Sequence, residues 1–296
     1  MTSSMFRGVF TALITPFKDD GSLDLEQLRF LIEFMAANGI SGIVPCGTTG
    51  ESATLTHHEH RDVIKASVDA APSKLAVIAG TGSNNTEEAV ELTRFAKDVG
   101  ADASLQITPY YNKPNRRGIL KHFNAIAEAS DLPIILYNIQ SRTGLNLTPD
   151  LILELSKDER IIGIKEASGN ISQVSKIIEL TRDDGFLIFA GDDSSTIPII
   201  ALGGVGVVSV AANIIPQRMA SLTAEALSGN FDRARDLHYE LAPLFDALFL
   251  ETNPIPVKKA AELMKLSNGT IRLPLAELDK ENEARLREVL TEMDLI

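Results

Sequence analysis

A single cysteine, Cys46, denies this 296-residue chain any internal disulfide, so its stability has to come from core packing. Basic residues are also short: 28 Lys and Arg stand against 40 Asp and Glu, a formal charge of −12. That balance excludes a cationic face for phosphates, and neither nucleic acid nor membrane is expected as a partner. No apolar run reaches the 18 or more residues of a membrane span; even Ile197 to Ile215 is broken by Gly203, Gly204, Gly206 and Asn213. The opening MTSSMFRGVF lacks the pattern of a secretory signal, which makes the cytoplasm the expected compartment. What remains is ordinary globular usage, 44% apolar and 23% charged, with ample material for a large core.

Eight short β-rich apolar runs recur: Gly8 to Ile14, Ser41 to Cys46, Leu75 to Ala79, Ala103 to Thr108, Ile134 to Asn138, Ile161 to Lys165, Phe186 to Ala190 and Val205 to Val210. Helix starts are readable between them. Asp24 with Gln27, Thr56 with Glu59, Asn85 with Glu88 and Asn170 with Gln173 each place a capping side chain three residues before a carboxylate or amide. Thr148-Pro149 reads as a cap followed by proline at the first helical position. Strands that are apolar almost throughout suit a parallel sheet covered on both faces, and eight βα units close a (β/α)8 TIM barrel. The competitor is an open doubly wound sheet, but it would carry a glycine-rich turn after its first strand, where this chain reads Thr11-Ala12-Leu13-Ile14-Thr15-Pro16-Phe17. The expected division is a barrel over 1–228 and a C-terminal helical extension over 229–296. That tail reads as helical throughout, broken only at Asn253-Pro254-Ile255-Pro256, with Leu237, Leu241, Leu244, Phe245, Leu248 and Phe249 as a stripe packed on the barrel or on a partner.

In such barrels the reacting groups sit at the C-terminal ends of the strands. Lys165 ends the sixth. Strand alternation puts it on one face with Ile161 and Gly163, and the absent side chain at Gly163 is expected to leave room beside the amine. Burial there would favour the neutral amine that attacks a carbonyl; by position alone, the blander reading is a lysine reaching from a strand end to solvent. Tyr137 closes the neighbouring strand, as a proton relay or as a core tyrosine with its hydroxyl at the rim. Gly47-Thr48-Thr49-Gly50 offers backbone N–H groups and hydroxyls to a carboxylate, or is a plain βα turn. Arg142 could clamp a second carboxylate or be a surface arginine. His57, His58 and His60 lie in a capped helix start without an HExxH arrangement, so no metal is expected. Asp192-Asp193 reads as a helix cap, and Cys46 as a small buried residue.

Taken together, these strand ends resemble the dihydrodipicolinate synthase (4-hydroxy-tetrahydrodipicolinate synthase) family, within the pyruvate-dependent class I lyases that include N-acetylneuraminate lyase. The motifs are Gly47-Thr48-Thr49-Gly50-Glu51-Ser52, Thr108-Pro109-Tyr110-Tyr111-Asn112, Tyr137-Asn138 through Arg142-Thr143-Gly144, Ile164-Lys165-Glu166-Ala167, Gly191-Asp192-Asp193 and Asn253-Pro254-Ile255-Pro256-Val257-Lys258. The resemblance implies a barrel with a helical extension, usually assembled as a homotetramer built as a dimer of dimers. It implies that Lys165 forms an imine with pyruvate, and that Tyr137 relays protons with Thr48 and with Tyr111 from the neighbouring subunit. Thr49 and the N–H groups of Thr48 and Thr49 would hold the pyruvate carboxylate, with Val208 also in the substrate site. Arg142 would receive L-aspartate 4-semialdehyde. No external cofactor is implied, since the lysine itself is the electron sink.

Ser52, Ala53, His57, His60, Asn84, Glu88 and Tyr110 resemble the site through which L-lysine inhibits family members. One departure stands out: the family often carries proline where Gln140 stands, which predicts a less rigid loop around Arg142. The Tyr-Asn-x-x-x-Arg-Thr-Gly pattern with Tyr111 favours the semialdehyde over the sialic-acid substrates. Retention of Lys165, Tyr137 and Thr48 argues against a catalytically silent sensor.

Overall fold

The computed structural model describes residues 5–296. Eight strands, β1 (Gly8–Ala12), β2 (Gly42–Val44), β3 (Ala76–Gly80), β4 (Ala103–Ile107), β5 (Ile134–Asn138), β6 (Ile161–Glu166), β7 (Leu187–Ala190) and β8 (Gly206–Ser209), pair in parallel in chain order, and β8 closes on β1. The helices between them are α1 (Leu25–Ala37), α2 (His57–Ala70), α3 (Thr86–Val99), α4 (Arg116–Ala129), α5 (Gln140–Thr143) with α6 (Pro149–Leu155), α7 (Ile171–Thr181) and α8 (Thr196–Leu202). After β8 come α9 (Pro216–Leu227), α10 (Phe231–Ala247), α11 (Ile255–Leu263) and α12 (Lys280–Glu292). This is the expected (β/α)8 barrel. Among the described residues no helix is long and apolar enough to cross a membrane.

The caps follow the local chemistry. Asp24 accepts from the N–H of Gln27, Asn170 from that of Gln173, and Thr56 forms a reciprocal capping box with Glu59. The third expected pair differs: Asn85 accepts from Glu87, and Glu88 turns instead to Ser83 and His57.

Continuous apolar strands serve two cores. Phe10, Ile78, Leu105, Ile135, Phe189 and Val208 fill the barrel interior, while Val9, Ile43, Val77, Leu136, Ile188 and Val207 face outward onto Leu31, Ile64, Phe123, Ile152 and Ile177 of the helices. Strand β6 departs from simple alternation. Ile134 pairs with Ile161 but Ile135 with Gly163, so Ile162 is an extra, bulged residue. Ile161 therefore faces the outer core, and only Gly163 stays on the side of Lys165. Nor does Gly163 open space beside the amine, because a Cβ there would meet the Leu187 carbonyl oxygen at 2.5 Å. That glycine serves the close approach of β6 to β7.

The tail is less helical than expected. Residues 264–279 contain no helix: α11 ends at Leu263, the left-handed Lys265 follows two residues later, and the segment then passes through Asn268-Gly269 and Leu273-Pro274. Leu241, Leu244, Phe245 and Leu248 of the stripe are buried in the barrel's outer core, Leu237 packs at its edge, and Phe249 is 46% exposed.

At the seam Gly8 pairs with Gly206, so close that a Cβ on Gly206 would overlap the Gly8 carbonyl oxygen, a backbone atom that cannot swing aside. Gly206→Ala is expected to destabilise the barrel by about 3 kcal/mol, read as a lower denaturant midpoint against wild type. An unchanged midpoint would show that the seam tolerates a methyl group.

Candidate active site

A cavity of about 340 Å³ opens among the C-terminal strand ends. Its lining includes Thr48, Tyr110, Tyr137, Arg142, Thr143 and Asn253 together with Ser52, Ala53, His60 and Glu88. Tyr137 and Lys165 are aimed together by register: the two residues are direct partners across β5 and β6, both on the inner face. Their successors point outward and are tied down there. Asn138 Nδ2 donates to Glu166 at 3.0 Å, the N–H of Ser168 donates to Glu166 at 2.8 Å, and the N–H of Leu147 donates to Asn138 Oδ1 at 3.0 Å. Burial pushes the Glu166 carboxyl up, against these donors. With the outward pair fixed, Lys165 and Tyr137 must face inward. Lys165 is 6% exposed and its Nζ lies 4.3 Å from the centre of the Tyr137 ring, though the lysine is not among the residues lining the cavity.

The turn after β2 stands opposite. It is bracketed by two non-glycine residues in the left-handed region, Cys46 at φ +56° and Glu51 at φ +52°. Thr48 lines the cavity, whereas Thr49 is buried with its hydroxyl oxygen accepting from Asn253 Nδ2 at 2.9 Å. Asn253 also gives its carbonyl to Arg142 Nη2 at 3.2 Å. Its own Oδ1 has no protein partner although the residue is 6% exposed, which leaves a buried acceptor in the cavity wall for a ligand N–H or O–H. Asn253 has no role among the sequence expectations, although it opens the motif Asn253-Pro254-Ile255-Pro256; an asparagine directly before a proline is the available signal.

Arg142 sits exposed at the mouth on α5, a single helical turn closed by the N–H of Gly144 on Gln140 at 2.9 Å. Gln140 occupies the first helical position, where proline is also accommodated, so backbone bonds order this loop in proline's absence. Tyr111 does not join the cluster: it is 89% exposed with φ +69°, projecting away from the cavity that its neighbour Tyr110 lines. Val208 is buried in the interior core with Tyr137 and Phe10, not on the cavity wall.

The residues matched to the lysine site do converge. His57 Nδ1 lies 3.2 Å from Glu88, the Ser83 hydroxyl donates to the same carboxylate, and Asn84 Nδ2 donates to the Tyr110 carbonyl at 3.2 Å. His60 Nε2 is 2.7 Å from the Gly80 carbonyl, which can only accept, so Nε2 carries the proton. Burial lowers the His60 pKa and favours the neutral ring.

Asp192 and Asp193 do not cap the helix that follows. Asp193 Oδ2 instead accepts from the N–H groups of Val210 and Ala211 at 3.1 and 3.0 Å, tying β7 to the end of β8. Burial pushes the Asp192 carboxyl up while the charges of Lys165 and Arg142 pull it down, so it belongs to the same mouth. Cys46 is buried, its thiol held protonated by desolvation. Among the described residues no group of three or more His, Cys, Asp or Glu side chains is placed to hold a metal ion.

A closed eight-stranded barrel whose buried lysine, tyrosine and hydroxyl turn meet at the strand ends is a barrel enzyme in architecture. Comparison with known proteins narrows this class. The model of the dihydrodipicolinate synthetase family matches residues 5–293, and the chain belongs to that family. It is similar to a 4-hydroxy-tetrahydrodipicolinate synthase of Methanothrix thermoacetophila, at 58% identity over 98% of this chain and 97% of the relative. The dihydrodipicolinate synthase structure from Aquifex aeolicus superposes with a TM-score of 0.96 at 48% identity, covering 98% of this chain and 99% of that one. The synthase from Cyanidioschyzon merolae with lysine bound gives a TM-score of 0.95 at 42% identity, covering 99% of both chains.

Behind the turn, the Arg272 guanidinium grips the Glu59 carboxylate, with Nη2 to Oε1 at 2.5 Å and Nη1 to Oε2 at 3.0 Å. That grip, helped by the Thr56 N–H, pulls the Glu59 pKa from 4.5 down to about 2. A lowered folded-state pKa contributes stability that is complete above the unfolded value and is lost as pH falls through the folded one. Glu59→Gln is therefore expected to lower the thermal midpoint at pH 6 to 7, with the gap to wild type closing as pH approaches 2. A gap independent of pH would remove the ion pair as its cause.

Proposed function

We propose that the chain is a 4-hydroxy-tetrahydrodipicolinate synthase, condensing pyruvate with L-aspartate 4-semialdehyde in the first committed step of diaminopimelate and lysine synthesis. The observation that carries this reading is Lys165 Nζ buried 4.3 Å from the Tyr137 ring beside the cavity, in a chain of this family. Lys165 Nζ attacks C2 of pyruvate, and Tyr137 with Thr48 moves the protons by which the carbinolamine loses water to give the imine. Loss of a C3 proton gives the enamine, whose C3 bonds to the aldehyde carbon as the aldehyde oxygen takes up a proton. The substrate amine then attacks C2 and displaces Lys165, closing the ring of (4S)-4-hydroxy-2,3,4,5-tetrahydrodipicolinate. No external cofactor takes part.

The Thr48 and Thr49 N–H groups and the Thr49 hydroxyl hold the pyruvate carboxylate, Arg142 receives that of the semialdehyde, and Val208 backs the substrate from β8. Tyr111 completes the relay of a neighbouring subunit in a homotetramer, a dimer of dimers; its 89% exposure in the single chain supports that role. L-lysine inhibits by binding among Ser52, Ala53, His57, His60, Asn84, Glu88 and Tyr110, with Glu88 suited to an ammonium and Asn84 to a carboxylate. The lysine-bound relative supports this reading. The barrel over 1–228 carries the reaction, 229–296 is its extension, and the enzyme works in the cytoplasm.

The first test is turnover of pyruvate plus L-aspartate 4-semialdehyde, coupled to the next reductase and followed as nicotinamide oxidation. Borohydride with pyruvate should add one reduced pyruvate at Lys165, Lys165→Ala should abolish that adduct, and Tyr137→Phe should lower kcat by about 10²- to 10³-fold. Folded protein with neither turnover nor adduct would sink the assignment. Millimolar L-lysine should depress the rate, and a flat titration would remove the regulatory site.

A further inference from the structure

Glu51 takes no part in the proposed chemistry, yet its carboxylate is wholly buried immediately after the hydroxyl turn. Oε1 accepts from Lys258 Nζ at 2.5 Å and Oε2 from the N–H of Arg272 at 3.2 Å. Lys258 Nζ also donates to the Thr15 carbonyl at 3.0 Å, and the Thr15 hydroxyl donates to the Gly50 carbonyl at 2.7 Å. The Phe17 ring meets both cations, Lys258 Nζ at 4.3 Å and the Arg272 guanidinium carbon at 4.1 Å from its centre. Arg272 further donates to the Thr54 carbonyl at 3.0 Å. Glu51 and Thr54 are thus gripped directly by a lysine and an arginine from the C-terminal extension, and Gly50 is held through Thr15.

Stability alone does not call for this arrangement. Apolar residues of similar volume often replace a buried ion pair without loss of stability, whereas a charged pair defines direction and distance. Direction is what the turn needs, since Glu51 at φ +52° holds a conformation that a residue with a Cβ adopts only when its surroundings enforce it. We infer that Glu51, Lys258 and Arg272 are positioning residues for the carboxylate site: the extension locks the turn so that its Thr48 and Thr49 N–H groups bind the keto acid. This inference rests on the reading that pyruvate is the substrate that binds there.

The wild-type borohydride adduct tests that underlying reading first, without any variant. The positioning role is then tested in the full chain with Lys258→Met and the double variant Glu51→Gln/Lys258→Met, whose uncharged pair keeps the side-chain volumes. Both should raise the KM for pyruvate, and the pyruvate concentration that half-saturates adduct formation, by about tenfold or more. The KM for the semialdehyde and kcat at saturating pyruvate should change by less than about threefold. A double variant with wild-type thermal midpoint and wild-type KM for pyruvate would overturn the proposal, leaving the pair a structural contact only. Should neither variant fold, Arg272→Gln keeps the backbone bond to Glu51 and removes the outer grip; a severalfold rise in pyruvate KM is expected, and an unchanged KM would count against it.

Discussion

The buried contact between Glu51 and Lys258 is where the barrel and the helical extension become one structure. Its two side chains are 0% and 1% exposed, and they lie 207 positions apart in the chain. Taking two charges out of water costs several kcal/mol per ion, and removing one partner of such a pair typically costs about 3–5 kcal/mol. The fold meets that cost by saturating both groups, with Arg272 on the second carboxylate oxygen and Thr15 on the ammonium. Asn253 adds a second tie from the same extension onto Thr49. The apolar side of the junction is built likewise, with Leu241, Leu244, Val257 and Leu286 packed in the core that covers the outside of the barrel. Extension and hydroxyl turn are therefore one mechanical unit, although the contacting residues lie 204 and 207 positions apart.

The barrel was legible because each βα unit repeats one local rule. Continuous apolar runs recur eight times, most with a stop at Gly, Thr or Pro and several with a capped helix start behind them, and all eight runs became strands within a few residues of their expected ends. The misreadings lie where tertiary contact overrides local pattern. An extra residue at Ile162 cannot be seen in Ile161-Ile162-Gly163-Ile164-Lys165, where every residue before the lysine is apolar or glycine and suits either face. The irregular segment 264–279 reads as helix by composition, but it must reach back across the barrel mouth to deliver Arg272, Pro274 and Leu275. Asp192-Asp193 suits a cap because capping is local, whereas Asp193 serves backbone groups at 210 and 211, just past the end of β8.

Strand-end residues of the site were readable for the same reason as the strands. Lys165 and Tyr137 fall at the ends of adjacent strands, and parallel register makes them neighbours without further information. Residues brought by the extension were not readable in that way, since no periodicity ties Asn253 or Lys258 to the turn at 47–51. The cavity also joins groups that the sequence reading kept apart: Thr48 and Tyr137 share its wall with Ser52, His60 and Glu88. Ser52 directly follows Glu51, so the side of the cavity matched to an effector begins at the residue that anchors the hydroxyl turn.

Two buried lysines in one protein display how environment divides a single residue type between two tasks. Lys258 is 1% exposed and its amine is spent on a carboxylate, a carbonyl and an aromatic face, contacts that a neutral amine could not hold as well. Lys165 is 6% exposed, and among the described residues it has no carboxylate within ion-pairing distance; its close neighbour is the Tyr137 ring. A desolvated aromatic face holds a cation by about 2 kcal/mol, less than the cost of breaking a buried ion pair. The difference leaves Lys258 fixed by contacts that Lys165 does not make. Residue type alone cannot separate them; position at a strand end, and the absence of a paired acid, does.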